Sequence, residues 1–160
     1  MQGAFRVSID GSRLRFAAAH MATFDGRCEP LHGHNYAVSI EAEGDLTADG
    51  WVWDFGDLRR IAAGILDELD HRFLLQERSS LLRATIVGGN YELHAGGQTY
   101  VLPCSDVVAL PIDNTTAERL AEWIAGRLLA ALRANGASNI RRLAVGVEEM
   151  PGQSGWYTLG

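Results

Sequence analysis

The sequence predicts an α+β fold, with the helices segregated to one face of an antiparallel sheet. Three patterns carry that expectation. Apolar residues recur at helical spacing over 58–69 and again over 120–132. Alternating segments precede the first run and follow the second. Between the two runs, residues 78–112 show short alternating stretches around glycine pairs, the mark of an inserted β-hairpin.

From Phe5 to His20 the alternation is loose and breaks at Asp10-Gly11-Ser12, where a tight hairpin turn is expected. Pro30 and Gly33 mark Arg27–His34 as a loop, and Tyr36–Ala42 alternates cleanly as a strand. Gly44–Gly50 is turn-rich and leads to Trp51-Val52-Trp53. Asp54 is a suitable N-cap for a first helix carrying Leu58, Ile61, Ala62, Ile65, Leu66 and Leu69, which ends near Asp70-His71. Asn90–His94 and Gln98–Leu102, joined by Ala95-Gly96-Gly97, form the expected hairpin. A second helix starts near Asn114-Thr115-Thr116, where a threonine and Glu118 give a capping signal. It carries Leu120, Trp123, Ile124, Leu128 and Leu132 and stops at Asn135-Gly136. Arg142–Glu149 alternates as a final strand. No repeat or linker interrupts the chain, so residues 1–160 read as one domain with an insertion at about 78–112.

Composition narrows the function classes. The chain is 47% hydrophobic and 21% charged, as folded globular domains are. No apolar run approaches the roughly 20 residues of a membrane span. The first residues lack the pattern of a secretory signal, and Cys28 and Cys104 make no disulfide framework, so a cytoplasmic setting is expected. A net charge of −6 is a poor footprint for nucleic acid. All 14 cationic residues are arginine. Schiff-base chemistry from a side-chain amine is therefore excluded, and phosphate recognition falls to arginine, histidine or backbone N–H groups.

The histidines carry the chemistry. In an extended segment His32 and His34 point the same way, because side chains alternate with period two. With His20 they make a candidate three-nitrogen metal site, which leaves zinc one open position. Cys28, four residues before His32, has three readings: a fourth ligand, a reactive thiol, or a small buried hydrophobe. Asp70-His71 reads either as an oriented acid/base pair or as a histidine favoured by a helix C-terminus. Glu148-Glu149 closes an apolar strand and reads either as a solvated strand end or as a carboxylate that receives paired N–H donors from a planar heterocycle. His94 and Cys104 have no such company and read as idle and structural.

Together these segments resemble the 6-pyruvoyl-tetrahydropterin synthase and 6-carboxytetrahydropterin synthase family. The resemblance runs through Phe16–His20, Cys28-Glu29-Pro30-Leu31-His32-Gly33-His34-Asn35-Tyr36, Gly50–Leu58, Leu69-Asp70-His71, Asn114–Glu118 and Glu149-Met150-Pro151-Gly152. It implies that His20, His32 and His34 hold Zn2+, that Cys28 is the catalytic base, and that Asp70 and His71 form the partnered acid/base group. Glu149, which shares the alternation of Val145 and Val147 and precedes Met-Pro-Gly, would anchor a pterin ring. The implied fold is a tunnelling fold, a four-stranded antiparallel sheet with two helices on one face. Trimers would close a twelve-stranded barrel and stack into a homohexamer, a dimer of trimers with sites at subunit interfaces.

The implied substrate is a small-molecule pterin triphosphate, 7,8-dihydroneopterin triphosphate, with neither nucleic acid nor membrane as a partner. The three residues between Cys28 and His32 resemble the carboxy-forming group. That implies a lyase releasing triphosphate and acetaldehyde to give 6-carboxytetrahydropterin for queuosine biosynthesis. The alternatives are pyruvoyl-tetrahydropterin synthesis, a dihydroneopterin side-chain lyase serving folate- or methanopterin-type cofactors, and a non-catalytic zinc- or pterin-binding module. Two features depart from the short members: Thr115, where proline is frequent, and the insertion.

Overall fold

A computed structural model describes residues 3–160. Strands β1 (Phe5–Ile9) and β2 (Arg15–His20) are followed by a small hairpin of β3 (Thr23–Phe24) and β4 (Arg27–Cys28). The long β5 (His32–Gly44) leads to α1 (Phe55–Leu66) and β6 (Arg72–Gln76). Then come β7 (Arg83–Val87), β8 (Asn90–Ala95), β9 (Gln98–Pro103) and β10 (Val107–Leu110). Helix α2 (Ala117–Ala134), β11 (Ile140–Met150) and β12 (Gln153–Leu159) complete the chain.

The α+β class holds, but the sheet is mixed and has more than the four antiparallel strands expected. Its order is β10-β6-β2-β5-β11-β12, with β1 also paired to β5. β6 runs parallel to both β2 and β10. β6 escapes a search for alternation because Phe73, Leu74, Leu75 and Gln76 are all buried. Leu74 faces the helices, whereas Phe73 and Leu75 join a second apolar cluster beneath the insertion. A strand covered on both faces has no polar side to show.

β1 and β2 do not form a hairpin. Both lie along the same edge of β5, Ile9 opposite Ile40 and Arg15 opposite Ala37. Residues 10–14 bulge out between them, with the Asp10 carboxylate accepting from the Ser12 N–H at 2.8 Å. Leu14 rejoins the ladder by accepting from the Val38 N–H at 2.9 Å. The Asp-Gly pair that does turn tightly is Asp25-Gly26, with φ of 49° and 71°. Those two positive values suit the primed turn that links β3 to β4. His32–Gly33–His34, expected in a loop, opens β5 instead.

Tyr36, Val38, Ile40 and Ala42 project from one face of β5 into the main core, against Leu58, Ile61 and Leu66 of α1 and Leu120, Ile124 and Leu128 of α2. Asp54 caps α1 by accepting from the Asp57 N–H, and Thr116 caps α2 by accepting from the Arg119 N–H. α1 stops at Leu66, short of Asp70-His71, and a tight turn carries Leu69 and Asp70 onward.

The insertion is a three-stranded antiparallel sheet, β7-β8-β9, rather than a hairpin. β7 is exposed along its whole length, so it shows no buried face to read from the sequence. Leu82, Leu93 and Ala95 seat the unit on Met21, Phe73, Leu75 and Val107. Among the described residues no helix is long and apolar enough to cross a membrane.

Candidate active site

The β2–β5 register places His20 directly opposite His32, and His34 two residues further along the same face. The Nε2 atoms of His20 and His32 lie 3.1 Å apart, and ligating nitrogens of all three imidazoles fall within 4.8 Å of one another. The non-ligating nitrogens fix two tautomers. His20 Nδ1 donates to the Thr115 carbonyl oxygen at 3.0 Å, and His32 Nδ1 donates to the Pro30 carbonyl oxygen at 2.7 Å. Each Nε2 is thereby left with its lone pair. Nε2 of His34 is buried with no hydrogen-bond partner. Three imidazoles converging on one point fit a bound metal cation. Burial, then the neighbouring His32, push the pKa of His20 down to about 4, so it is neutral at pH 7, as a ligand must be.

Glu149, near the end of β11, is half-buried in a cavity of about 380 Å³ lined also by His20, Glu29, Thr116 and Glu118. Burial pushes its carboxyl up, while the His34 imidazole pulls the other way. Glu148 faces elsewhere and accepts from the Gly152 N–H at the β11–β12 turn. The Tyr36 hydroxyl is buried without a partner, and burial raises its pKa so that the phenol stays protonated.

The structure does not bring the other expected site residues into this cavity. Cys28, on β4, turns toward the insertion and lines a cavity of about 630 Å³ with Met21, Glu29, Leu81 and Tyr100. Burial pushes its thiol up, opposite to a reactive thiolate. His71 Nδ1 pairs with Asp70 Oδ2 at 2.9 Å. His71 is 82% exposed and lines a third cavity, about 520 Å³, with Ala18, Gly33, His34 and Asn35. Asp70 is held below the usual carboxylate range, first by the Ala17 N–H at 2.7 Å and then by His71. His94 is exposed and bonded to Thr99, and Cys104 sits in a short turn outside the site.

Sequence reasoning passed over Glu29, Gln76 and the side chain of Thr115. Glu29 Oε2 lies 3.8 Å from His32 Nε2, and the residue borders both the Glu149 and the Cys28 cavities. Its signal was present, a carboxylate three residues before a histidine of the candidate metal site. The sequence leaves Thr115 and Thr116 both open as the helix cap, and Thr116 performs that duty.

The chain is similar to known proteins along nearly all its length. The profile of the 6-pyruvoyl tetrahydropterin synthase family matches residues 11–159. A 6-carboxy-5,6,7,8-tetrahydropterin synthase of Haemophilus influenzae is 34% identical over 133 residues, covering 78% of this chain and 82% of that one. A dihydroneopterin monophosphate aldolase of Pyrococcus furiosus is 39% identical over 62 residues, 39% of this chain and 53% of the relative. The crystal structure of 6-pyruvoyl tetrahydropterin synthase from Plasmodium vivax superposes with a TM-score of 0.92 at 27% identity, covering 99% of both chains. A variant of the P. vivax enzyme is described as an alanine replacement of a catalytic glutamate. Such enzymes carry out lyase-type reactions on pterins, which excludes the reading of a merely binding module. On this fold and these matches, the chain belongs to the 6-pyruvoyl tetrahydropterin synthase family.

Proposed function

We propose that the protein is a zinc-dependent 6-carboxytetrahydropterin synthase acting on 7,8-dihydroneopterin triphosphate. The observation that carries the reading is the three-imidazole cluster, whose His20 lines one cavity with the half-buried Glu149. His20, His32 and His34 would hold the ion. Zinc bound there supplies Lewis acidity, which lowers the pKa of a side-chain hydroxyl of the substrate. Glu149 accepts the paired N–H groups of the pterin ring and fixes its orientation. Cys28, once its thiol is ionised beside the bound cation, would take a proton from the side chain, and His71, steadied by Asp70, would relay a second. Substrate and water become 6-carboxytetrahydropterin, triphosphate and acetaldehyde. The ring gains its two electrons from the side chain, so no nicotinamide is needed.

His71 and Glu149 border different cavities, which supports a site completed by a second copy. In this reading Asp70 and His71 reach the pterin of a neighbouring chain in a hexamer built as a dimer of trimers.

Glu29 favours a second reading, a dihydroneopterin side-chain lyase. Its carboxylate stands beside His32 and borders the Glu149 cavity, whereas Cys28 faces the insertion. As the base it would deprotonate a side-chain hydroxyl, and the bond between the first and second side-chain carbons would break. A monophosphate substrate would then yield a hydroxymethyl-dihydropterin and glycolaldehyde phosphate, with the ring unreduced.

Mass spectrometry of products from zinc-loaded protein separates the readings. Acetaldehyde with 6-carboxytetrahydropterin, abolished in C28A, supports the synthase. Glycolaldehyde phosphate from the monophosphate, abolished in E29Q and retained in C28A, overturns it in favour of the lyase. Turnover of the triphosphate to 6-pyruvoyl-tetrahydropterin without acetaldehyde would also overturn it.

A further inference from the structure

We infer that Thr115 and Gln76 are positioning residues that orient His20 at the metal centre and link that centre to the root of the inserted sheet; this rests on the metal reading of the three histidines. His20 is 1% exposed, and both hydrogen bonds of its Nδ1 go to Thr115, to the carbonyl oxygen at 3.0 Å and the hydroxyl at 3.2 Å. The hydroxyl has a single proton, which it donates to Gln76 Oε1 at 2.8 Å. That acceptor cannot return a proton, so the threonine oxygen faces His20 as an acceptor. Two oxygens of one residue therefore converge on one imidazole N–H and hold Nε2 toward the metal point.

Neither side chain has another evident duty. Thr115 and Gln76 are fully buried, where an unpaired polar group is costly and an apolar residue would serve for packing alone. Thr116 caps α2, so the Thr115 hydroxyl is free of that task. The Asn114 side chain accepts from the Thr115 and Thr23 N–H groups and donates to the Thr23 carbonyl, pinning this loop to β3. From Gln76 the chain of contacts continues outward. Its Nε2 reaches Ser79 Oγ at 3.4 Å, and that oxygen accepts from the N–H groups of Leu81 and Leu82. Leu81 and Leu82 lead directly into β7. The segment that sets this chain apart from a plain sheet-and-helix domain is thus braced, through two buried amide and hydroxyl groups, on a metal ligand.

The test compares wild type with T115V, T115S and Q76M. The readouts are zinc affinity by chelator competition, the absorption spectrum of the cobalt-substituted protein, and melting of the metal-free form. T115V keeps the shape and the carbonyl bond but strands Gln76 Oε1, and its zinc affinity is expected to fall about 10-fold, with an altered cobalt spectrum. Q76M should weaken binding in the same direction, and T115S should restore wild-type behaviour. A role in packing alone would lower metal-free melting and leave affinity and spectrum unchanged. Wild-type affinity and spectrum in a folded T115V overturn the inference; if T115V does not fold, the same result in Q76M does so. Wild-type protein that holds no zinc would instead overturn the metal reading itself.

Discussion

Gly33 stands between two imidazoles, and a Cβ at this position would lie 2.8 Å from the Ala18 carbonyl oxygen. The neighbouring backbone cannot retreat without parting β2 from β5, because Ala18 and Ala19 pair with His34 and Gly33 in that ladder. The histidine pair is therefore spaced by the only residue without a side chain to clash. G33A is expected to cost about 1–3 kcal/mol of stability and to weaken metal binding by spreading His32 from His20. Urea denaturation and zinc competition on the same variant check both effects. The pairing of His32 with His34 was legible because strand periodicity puts residues two apart on one face, and His20 joins them through the β2–β5 register. Their supports were not, since Thr115 and Gln76 are distant in sequence and meet His20 only through the fold. Cys28 was legible as a candidate for chemistry, but its direction was not: β4 turns it toward an insertion whose packing no local pattern announces.

The turn after α1 shows how an element junction depends on one carboxylate. β6 pairs with β2 only through Ala18–Arg72 and Ala19–Phe73. Beside this short ladder, Asp70 accepts from the Ala17 N–H at 2.7 Å and the His71 N–H donates to the Ala17 carbonyl at 2.6 Å. His71 adopts φ of 56° there, an uncommon value for a residue with a side chain. D70A removes a charged acceptor from the junction and is expected to cost about 1–3 kcal/mol in urea denaturation at pH 7. The pH dependence has a definite sign. The folded pKa of Asp70 is lowered, so its stabilisation is complete above the ordinary carboxylate pKa and fades as pH falls through the depressed value. D70A should lack that acid component of the stability profile, and an unchanged acid limb would contradict the assignment. The starts of both helices could be read from capping residues, Asp54 and the Thr115-Thr116 pair, and the end of α2 from Asn135-Gly136. By contrast, α1 stops at Leu66, short of the Asp70-His71 at which its end was expected. β6 could not, because burial on both faces erases the alternation by which strands are recognised.

Across the whole molecule β5 is the hub, paired with β1 and β2 on one edge and β11 on the other. It carries two histidines of the candidate metal site at one end and feeds the helix-packed core along the rest. The cavity of Glu149 and the cavity of His71 both touch the histidine cluster, through His20 and His34 respectively. A site shared between copies has a clear signature in mixed assemblies. H32A and H71A should each be inactive alone, yet random co-assembly of the two chains should recover about one quarter of wild-type turnover. No recovery in proven mixed oligomers would place the whole site within one chain.

In the proposed function the three histidines hold a metal required for pterin turnover. The direct measurement is to strip the protein with a chelator, titrate zinc back, and follow turnover of 7,8-dihydroneopterin triphosphate. Turnover should be absent at first, rise linearly and saturate at one zinc per chain, and remain absent in H32A. Full turnover by the stripped protein under continued chelation, or by H32A, would contradict the account.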